Sequence, residues 1–133
     1  MGEHDNPFTC MDELLETATT KNIFVDFHAE ATSEKRAMSH YLAGRVSALV
    51  GTHTHIPTAD EKIINGTGYL TDVGMTGAEN SVIGVTVEPI LDRFVKGEMT
   101  RVCEAKGDYT ANAVIIEIDE KTGKCTKINR INF

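Results

Sequence analysis

The stretch Val46-Ser-Ala-Leu-Val-Gly-Thr-His-Thr-His55 decides the fold, because it joins an apolar run directly to two histidines. The run from Val46 to Val50 is rich in strand-forming residues and is bounded on both sides by Gly44 and Gly51. Short apolar runs between such residues are typical of strands that are buried on both faces. The sequence therefore predicts a buried strand that delivers a histidine pair at its carboxyl end.

A second run upstream has the same organisation. Ile23-Phe-Val-Asp-Phe27 is apolar, and His28 follows it. Between the two runs, residues Glu34 to Ala43 have helical composition after a potential cap at Ser33, with an apolar face predicted at Ala37, Tyr41 and Leu42. Strand, helix and strand in this order predict two parallel strands joined by a right-handed crossover. Parallel sheets bind ligands beyond the carboxyl ends of their strands, so the three histidines are expected at one rim.

The remaining segments complete a mixed sheet. The predicted elements are a helix Met11–Ala18 behind a Thr9–Asp12 capping box, a hairpin of 61–64 and 68–71 around Asn65-Gly66, a loop Asp72–Ser81, a helix Val87–Val95, and antiparallel strands Ala113–Ile118 and Lys124–Ile131. No repeat or interdomain linker interrupts them. We expect one α/β domain over residues 1–133, with a mixed β-sheet flanked by helices.

Composition excludes several classes of protein. Of the 133 residues, 41% are hydrophobic and 25% are charged, and the net charge is −7. This charge argues against general nucleic-acid binding and against an anionic membrane surface. No apolar run reaches the length of a membrane span, and the first residues lack the pattern of a signal peptide, so we expect a cytoplasmic protein. The widely spaced Cys10, Cys103 and Cys125 are expected to be buried, reduced thiols.

The histidines suggest a metal site. If the chain stays extended, His53 and His55 point to the same side with Cβ atoms about 7 Å apart. Such imidazoles would chelate one ion or each serve one ion of a closely spaced pair. His28 would bind metal through one ring nitrogen, and a carboxylate would accept a hydrogen bond from the other nitrogen and orient the ring. Asp26 and Glu30 are the candidates for that carboxylate. A histidine-rich site suits Zn, Mn or Fe better than Mg or Ca.

Several longer motifs resemble a known family. Val25-Asp-Phe-His-Ala-Glu-Ala-Thr-Ser-Glu-Lys35, Val50-Gly-Thr-His-Thr-His55, Thr58-Ala-Asp-Glu61 and Thr71-Asp-Val-Gly-Met-Thr-Gly77 occur in the order found in the YmdB-like branch of the calcineurin-like metallophosphoesterases. The resemblance implies half of a four-layer β-sandwich. It also implies two divalent metals (Fe, Mn or Zn) in the complete site and phosphodiesterase activity toward 2′,3′-cyclic nucleotides. By position, His28 and His53 resemble ligands of one metal, and His55 resembles a ligand of the other.

The chain departs from that family in its length. It resembles only the C-terminal half, and the Asn-His pair that supplies the family's catalytic histidine is absent, so no catalytic residue is assigned. We expect the chain alone to hold one metal or none and to be inactive without the N-terminal half. Half a sandwich would expose apolar surface, which predicts a homo-oligomer or a complementing N-terminal half as partner. A non-catalytic, oligomeric metal-binding or structural module is the alternative.

Overall fold

The computed structural model describes residues 5–133, which form two β-sheets and three α-helices. In chain order the elements are α1 (Pro7–Thr17), β1 (Phe24–His28), α2 (Thr32–Tyr41), β2 (Ala48–Thr52), β3 (Lys62–Ile64), β4 (Thr67–Leu70), β5 (Thr76–Ala78), α3 (Val87–Leu91), β6 (Tyr109–Ile118) and β7 (Cys125–Asn132). A π-helical turn, Asp92–Lys96, continues α3. Residues 1–4 of the predicted domain lie outside the described part.

The first sheet has the strand order β1-β2-β4-β3. Strands β1, β2 and β4 run parallel, and β3 is antiparallel to β4. The two predicted parallel strands are thus confirmed, although β2 begins at Ala48 rather than Val46. The predicted hairpin also forms: Asn65 and Gly66 both have positive φ, 50° and 87°, as a tight turn between twisted strands requires.

The second sheet is antiparallel, with the order β5-β6-β7. The expectation that residues Asp72–Ser81 form only a loop is wrong, because Thr76–Ala78 pairs with β6 as strand β5. These three residues have no apolar alternation. They become a strand because β6 begins at Tyr109, earlier than the predicted Ala113, and offers them a free edge.

The helix starts also differ from the prediction. Helix α1 begins at Pro7, and the side chain of Asn6 accepts a hydrogen bond from the Phe8 amide at 2.9 Å. A capping box at Thr9 and Asp12 is therefore wrong, because Pro7 already has the φ of a first helical residue. Helix α2 begins two residues before the predicted Glu34 and has no side-chain cap.

The buried face of α2 is not the predicted one. Ala37 and Tyr41 are exposed, whereas Leu42 is buried as expected. The buried set is Lys35, Met38, Ser39 and Leu42, at positions i, i+3, i+4 and i+7. One stripe of a regular helix therefore faces the sheet, and a lysine is its first member.

Two apolar clusters stabilise the chain. Met38, Leu42, Val46, Leu49 and Tyr69 pack between the helices and the first sheet. Val50, Leu70, Cys125 and Ile128 pack between the two sheets. Because β2 and β4 contribute to both clusters, both of their faces are covered, as is usual for parallel strands. The α/β fold with a mixed sheet flanked by helices is confirmed.

The cysteines are free, but they are not all buried. Cys125 lies in the core, Cys10 is half-buried and Cys103 is exposed, so the expectation of three buried thiols is wrong. Burial raises the pKa of the Cys125 thiol above its usual value. Separately, none of the helices within residues 5–133 has the length and apolar character needed to cross a bilayer.

Candidate metal site at the carboxyl rim

The ends of β1 and β2 meet as the sequence predicts. His28, the last residue of β1, pairs in register with Thr52, the last residue of β2. The chain then continues directly into His53-Thr-His55. His28, His53 and His55 are all exposed, so their imidazoles are accessible from solvent at this rim.

His28 and His53 are brought into direct contact. His28 Nε2 and His53 Nδ1 lie 3.0 Å apart, with the rings nearly perpendicular at an angle of 81°. On the other side, His28 Nδ1 lies 3.0 Å from Thr52 Oγ1, and the Thr52 hydroxyl donates to Asp26 Oδ1 at 2.8 Å. Since that hydroxyl hydrogen is used by Asp26, His28 Nδ1–H donates to Thr52, and its Nε2 accepts from His53 Nδ1–H.

The predicted orienting carboxylate therefore acts indirectly. Asp26 contacts the hydroxyl of Thr52 rather than the imidazole of His28. Glu30 is exposed, and no side-chain hydrogen bond within residues 5–133 involves it. Thr52 was missed by the sequence reasoning. Its in-register position beside His28 becomes known only from the strand pairing.

His55 has a different partner. Its Nδ1–H donates to the Ile83 carbonyl at 2.9 Å, which leaves Nε2 as a free acceptor. Ile83 itself has φ +49°, an unusual conformation for a β-branched residue. The turn that holds it is fixed by Ser81, whose hydroxyl accepts from the Gly84 amide at 3.0 Å. The ring of His55 is therefore oriented by a backbone group 28 residues away.

The histidine segment is not extended, which corrects the expected geometry. His53 has φ 107° and His55 has φ 67°. Positive φ at a residue with a side chain costs about 1–3 kcal/mol and persists only where surrounding contacts impose it. The extended backbone that the histidine spacing assumed is therefore wrong, and the Thr54 amide between the two histidines instead donates to Asp72.

Asp72 anchors the histidine segment from below. It is 1% exposed, and its Oδ2 accepts from the Thr54 amide at 3.0 Å and from Lys35 Nζ at 2.7 Å. Its Oδ1 accepts from the Gly74 amide at 2.9 Å. Burial acts to raise the pKa of Asp72, but the hydrogen bonds from Lys35, Thr54 and Gly74 outweigh it and hold that pKa below its usual value. Asp72 begins the predicted loop Asp72–Ser81, but its carboxylate is buried and not solvated.

Lys35 reaches Asp72 through a gap left by Gly51. The Lys35 side chain is fully buried. A Cβ at Gly51 would lie 2.8 Å from Lys35 Cδ and 1.8 Å from the Thr71 carbonyl oxygen. Gly51 is thus a position where a neighbouring backbone and the Lys35 side chain approach too closely for any Cβ. Lys35 itself carried a sequence signal, since it begins the stripe that continues with Met38 and Leu42.

The spacing of one histidine pair can be compared with that of metal ligands. Two nitrogens that each bind one ion at 2.0–2.1 Å are separated by roughly 2.9–3.4 Å, depending on the geometry. His28 Nε2 and His53 Nδ1, 3.0 Å apart, fit this spacing. Within residues 5–133, however, no group of three or more His, Cys, Asp or Glu side chains converges on one point. Among the described residues, the spacing thus supports two candidate ligands and not a complete set.

The chain is similar to proteins that act on phosphoesters. Over 130 residues it is 50% identical to the 2′,3′-cyclic-nucleotide 2′-phosphodiesterase of Bacillus subtilis, covering 96% of this chain and 49% of that protein. It superposes on a novel phosphatase of Mycoplasma pneumoniae with a TM-score of 0.91 and 39% identity, covering 96% of this chain and 46% of that one.

A third similarity includes the whole chain. A hypothetical protein of Thermus thermophilus matches with a TM-score of 0.91 and 42% identity, over 100% of this chain and 52% of that one. The chain therefore spans about half the length of the relatives it matches. The family model described as YmdB-like protein matches residues 1–131, as the sequence motifs predicted. By this match, the chain belongs to the YmdB-like protein family.

Proposed function

We propose that the chain contributes His28, His53 and His55 to the metal centre of a phosphodiesterase. The observation that carries the proposal is the 3.0 Å approach of His28 Nε2 to His53 Nδ1 at the end of two parallel strands. The complete site would hold two divalent ions, Fe, Mn or Zn, and this chain alone would hold one or none. The remaining ligands would come from the part of its relatives that the chain does not match.

The chain's own residues would hold and orient the ions. His28 would bind through Nε2, because its Nδ1–H is committed to Thr52 and through it to Asp26. His53 would bind through Nδ1, and His55 would offer Nε2, since its Nδ1–H is held by the Ile83 carbonyl. Such partners behind a metal-binding imidazole fix its tautomer and its direction. When bound, the ions would polarise the phosphoryl oxygens and neutralise charge that develops on them.

The substrate we propose is a 2′,3′-cyclic nucleotide. The Bacillus subtilis relative is named for this substrate and is 50% identical. The net charge of −7 would repel a phosphodiester from most of the surface, so bound cations are the means by which such a protein attracts one. We further propose a cytoplasmic location, which suits three free cysteines because that compartment keeps thiols reduced.

The surface that we propose would receive a complementing N-terminal half is the free edge of β1. Within residues 5–133, β1 pairs only with β2, although its sequence is that of a buried parallel strand. Phe24 on this strand is 54% exposed. An unpaired, partly apolar edge is a template for another strand. We propose a complementing N-terminal half there, with a homo-oligomer across the same edge as the competing outcome.

The test is complementation. The N-terminal half of the Bacillus subtilis relative would be expressed separately and mixed with this chain, Mn²⁺ and a 2′,3′-cyclic nucleotide. We expect hydrolysis only in the mixture, with at least 100-fold loss in a His53→Ala variant. His40→Ala is the matched control, because His40 is exposed on α2 and none of the described side-chain hydrogen bonds involves it.

Three results would argue against the proposal or a part of it. Sedimentation that shows a stable complex of the two halves without hydrolysis would favour the non-catalytic module. Activity that survives both His28→Ala and His53→Ala would remove these residues from the site. A homo-oligomer that persists when the other half is added would instead contradict the assignment of the β1 edge.

A further inference from the structure

We infer that the buried Lys35–Asp72 ion pair is a positioning device for the His53–His55 segment. The pair lies beneath the rim: Lys35 and Asp72 are 0% and 1% exposed, and their charged atoms are 2.7 Å apart. Neither residue contacts an imidazole in the described hydrogen bonds. That the positioned histidines bind a metal rests on the proposed function. That the ion pair fixes the conformation of the His53–His55 segment does not depend on it.

The first argument is where the carboxylate is directed. Asp72 Oδ2 accepts from the Thr54 amide, which lies between the two histidines, and Oδ1 accepts from the Gly74 amide. These are two of the backbone donors at the rim, and both are held by one side chain. The conformation with positive φ at His53 and His55 requires contacts that impose it, and the bond to Thr54 is such a contact.

The second argument is that the carboxylate cannot hold this position alone. A buried carboxylate needs a counter-charge or several donors, because burial disfavours its ionised form. Lys35 supplies the counter-charge from the second turn of α2 and passes beneath Gly51 to do so. The ion pair therefore connects α2, the end of β2 and the segment after β4 at the point where the histidine segment departs.

The third argument is that the backbone around Asp72 is fixed independently. Its amide donates to Thr58 Oγ1 at 2.9 Å, and its carbonyl accepts from the Thr58 amide at 3.0 Å. Asp60 in turn accepts from the Thr71 amide at 3.1 Å and from the Thr58 hydroxyl at 2.8 Å. Loss of the ion pair would thus release the Thr54 amide while the rest of the loop keeps its own bonds.

The test compares charge removal with a general loss of stability. The variants are Asp72→Asn, which keeps the shape of the side chain, and Lys35→Met, which keeps most of its volume. A Lys35→Met/Asp72→Asn double variant carries neither charge of the pair. It replaces Lys35→Met in the measurements if that single variant unfolds. The control is Val46→Ala, which removes buried apolar atoms near the opposite end of β2. Each chain is titrated with Zn²⁺ alone, in competition with a coloured chelator.

A second readout does not depend on metal. Hydrogen exchange of the Thr54 amide and the His28–His53 imidazole contact are followed by NMR in metal-free protein. We expect at least 10-fold faster exchange at Thr54 and 10–100-fold weaker Zn²⁺ binding in the charge variants, the range found for residues behind metal ligands. Val46→Ala is expected to lower the unfolding midpoint without changing either property.

The outcomes separate this inference from the proposed function. If the wild-type chain binds no Zn²⁺ but the charge variants release the Thr54 amide and the imidazole contact, the positioning stands, and the complementation experiment alone then decides the metal function. If Thr54 exchange and the imidazole contact match the wild type in every charge variant, the inference is overturned. It is equally overturned if Val46→Ala alters them to the same extent.

Discussion

Replacement of Gly51 by alanine is the most direct test of how the rim is packed. The added Cβ would lie 1.8 Å from the Thr71 carbonyl oxygen, and ordinary contact begins at 3.4 Å. The obstacle is backbone, so β2 and the end of β4 must separate. That movement would also break the hydrogen bond from the Val73 amide to the Gly51 carbonyl, now 2.9 Å long. Overpacking costs about 1–3 kcal/mol and the lost hydrogen bond about 1 kcal/mol, so we expect the free energy of unfolding to fall by about 2–4 kcal/mol.

The assay is urea unfolding followed by far-ultraviolet circular dichroism. Gly77→Ala in β5 is the matched control, because its added Cβ would meet only the flexible Met75 side chain, at 3.3 Å. Alanine is favoured over glycine inside a strand by about 0.5–1 kcal/mol, so this variant should be neutral or slightly stabilised. A Gly51→Ala variant within about 1 kcal/mol of the wild type would refute the packing argument.

Three further predictions concern charge and hydrogen bonding. The pKa of Asp72 in the folded chain is below its unfolded value of about 3.9, so its ionised carboxylate stabilises the fold fully above that pH. This stabilisation is lost as the pH falls through the folded pKa. The free energy of unfolding, measured by urea unfolding between pH 6 and 2, should therefore decrease less with falling pH in Asp72→Asn than in the wild type. Thr52→Val should weaken Zn²⁺ binding 10–100-fold in chelator competition, since it disconnects Asp26 from His28, and an unchanged affinity would contradict that relay. Glu117→Gln should change the unfolding free energy by less than about 0.5 kcal/mol, because its ion pair with Lys127 is exposed.

The sequence predicted the frame of the site well. Two apolar runs that end in histidines are enough to place His28 and His53 at one rim, because parallel strands align their carboxyl ends. The hairpin at Asn65-Gly66 was equally accessible, since its turn chemistry is local. The predictions that were confirmed concern features fixed by the apolar pattern of a strand or by two adjacent residues of a turn.

The sequence did not predict contacts between distant segments. Thr52 orients His28 only because of the strand register, and Ile83 holds His55 from a turn 28 residues away. The positive φ values at His53 and His55 flank the Thr54 amide, which donates to Asp72. A carboxylate in a Gly-rich segment looks solvated until Lys35 is placed beside it. β5 is similar, since Thr76–Ala78 becomes a strand only when β6 offers an edge.

The Lys35–Asp72 pair also limits how this protein can change by mutation. Removal of one member leaves a buried charge uncompensated and costs about 3–5 kcal/mol, whereas replacement of both by apolar residues is often neutral. Total stabilities of small domains are only about 5–15 kcal/mol. A lineage that alters the pair one residue at a time therefore passes through an intermediate that has lost a large share of its stability. Because these less stable single variants separate the two sequences, we expect the ion pair to be retained even where an apolar pair at both positions would be as stable.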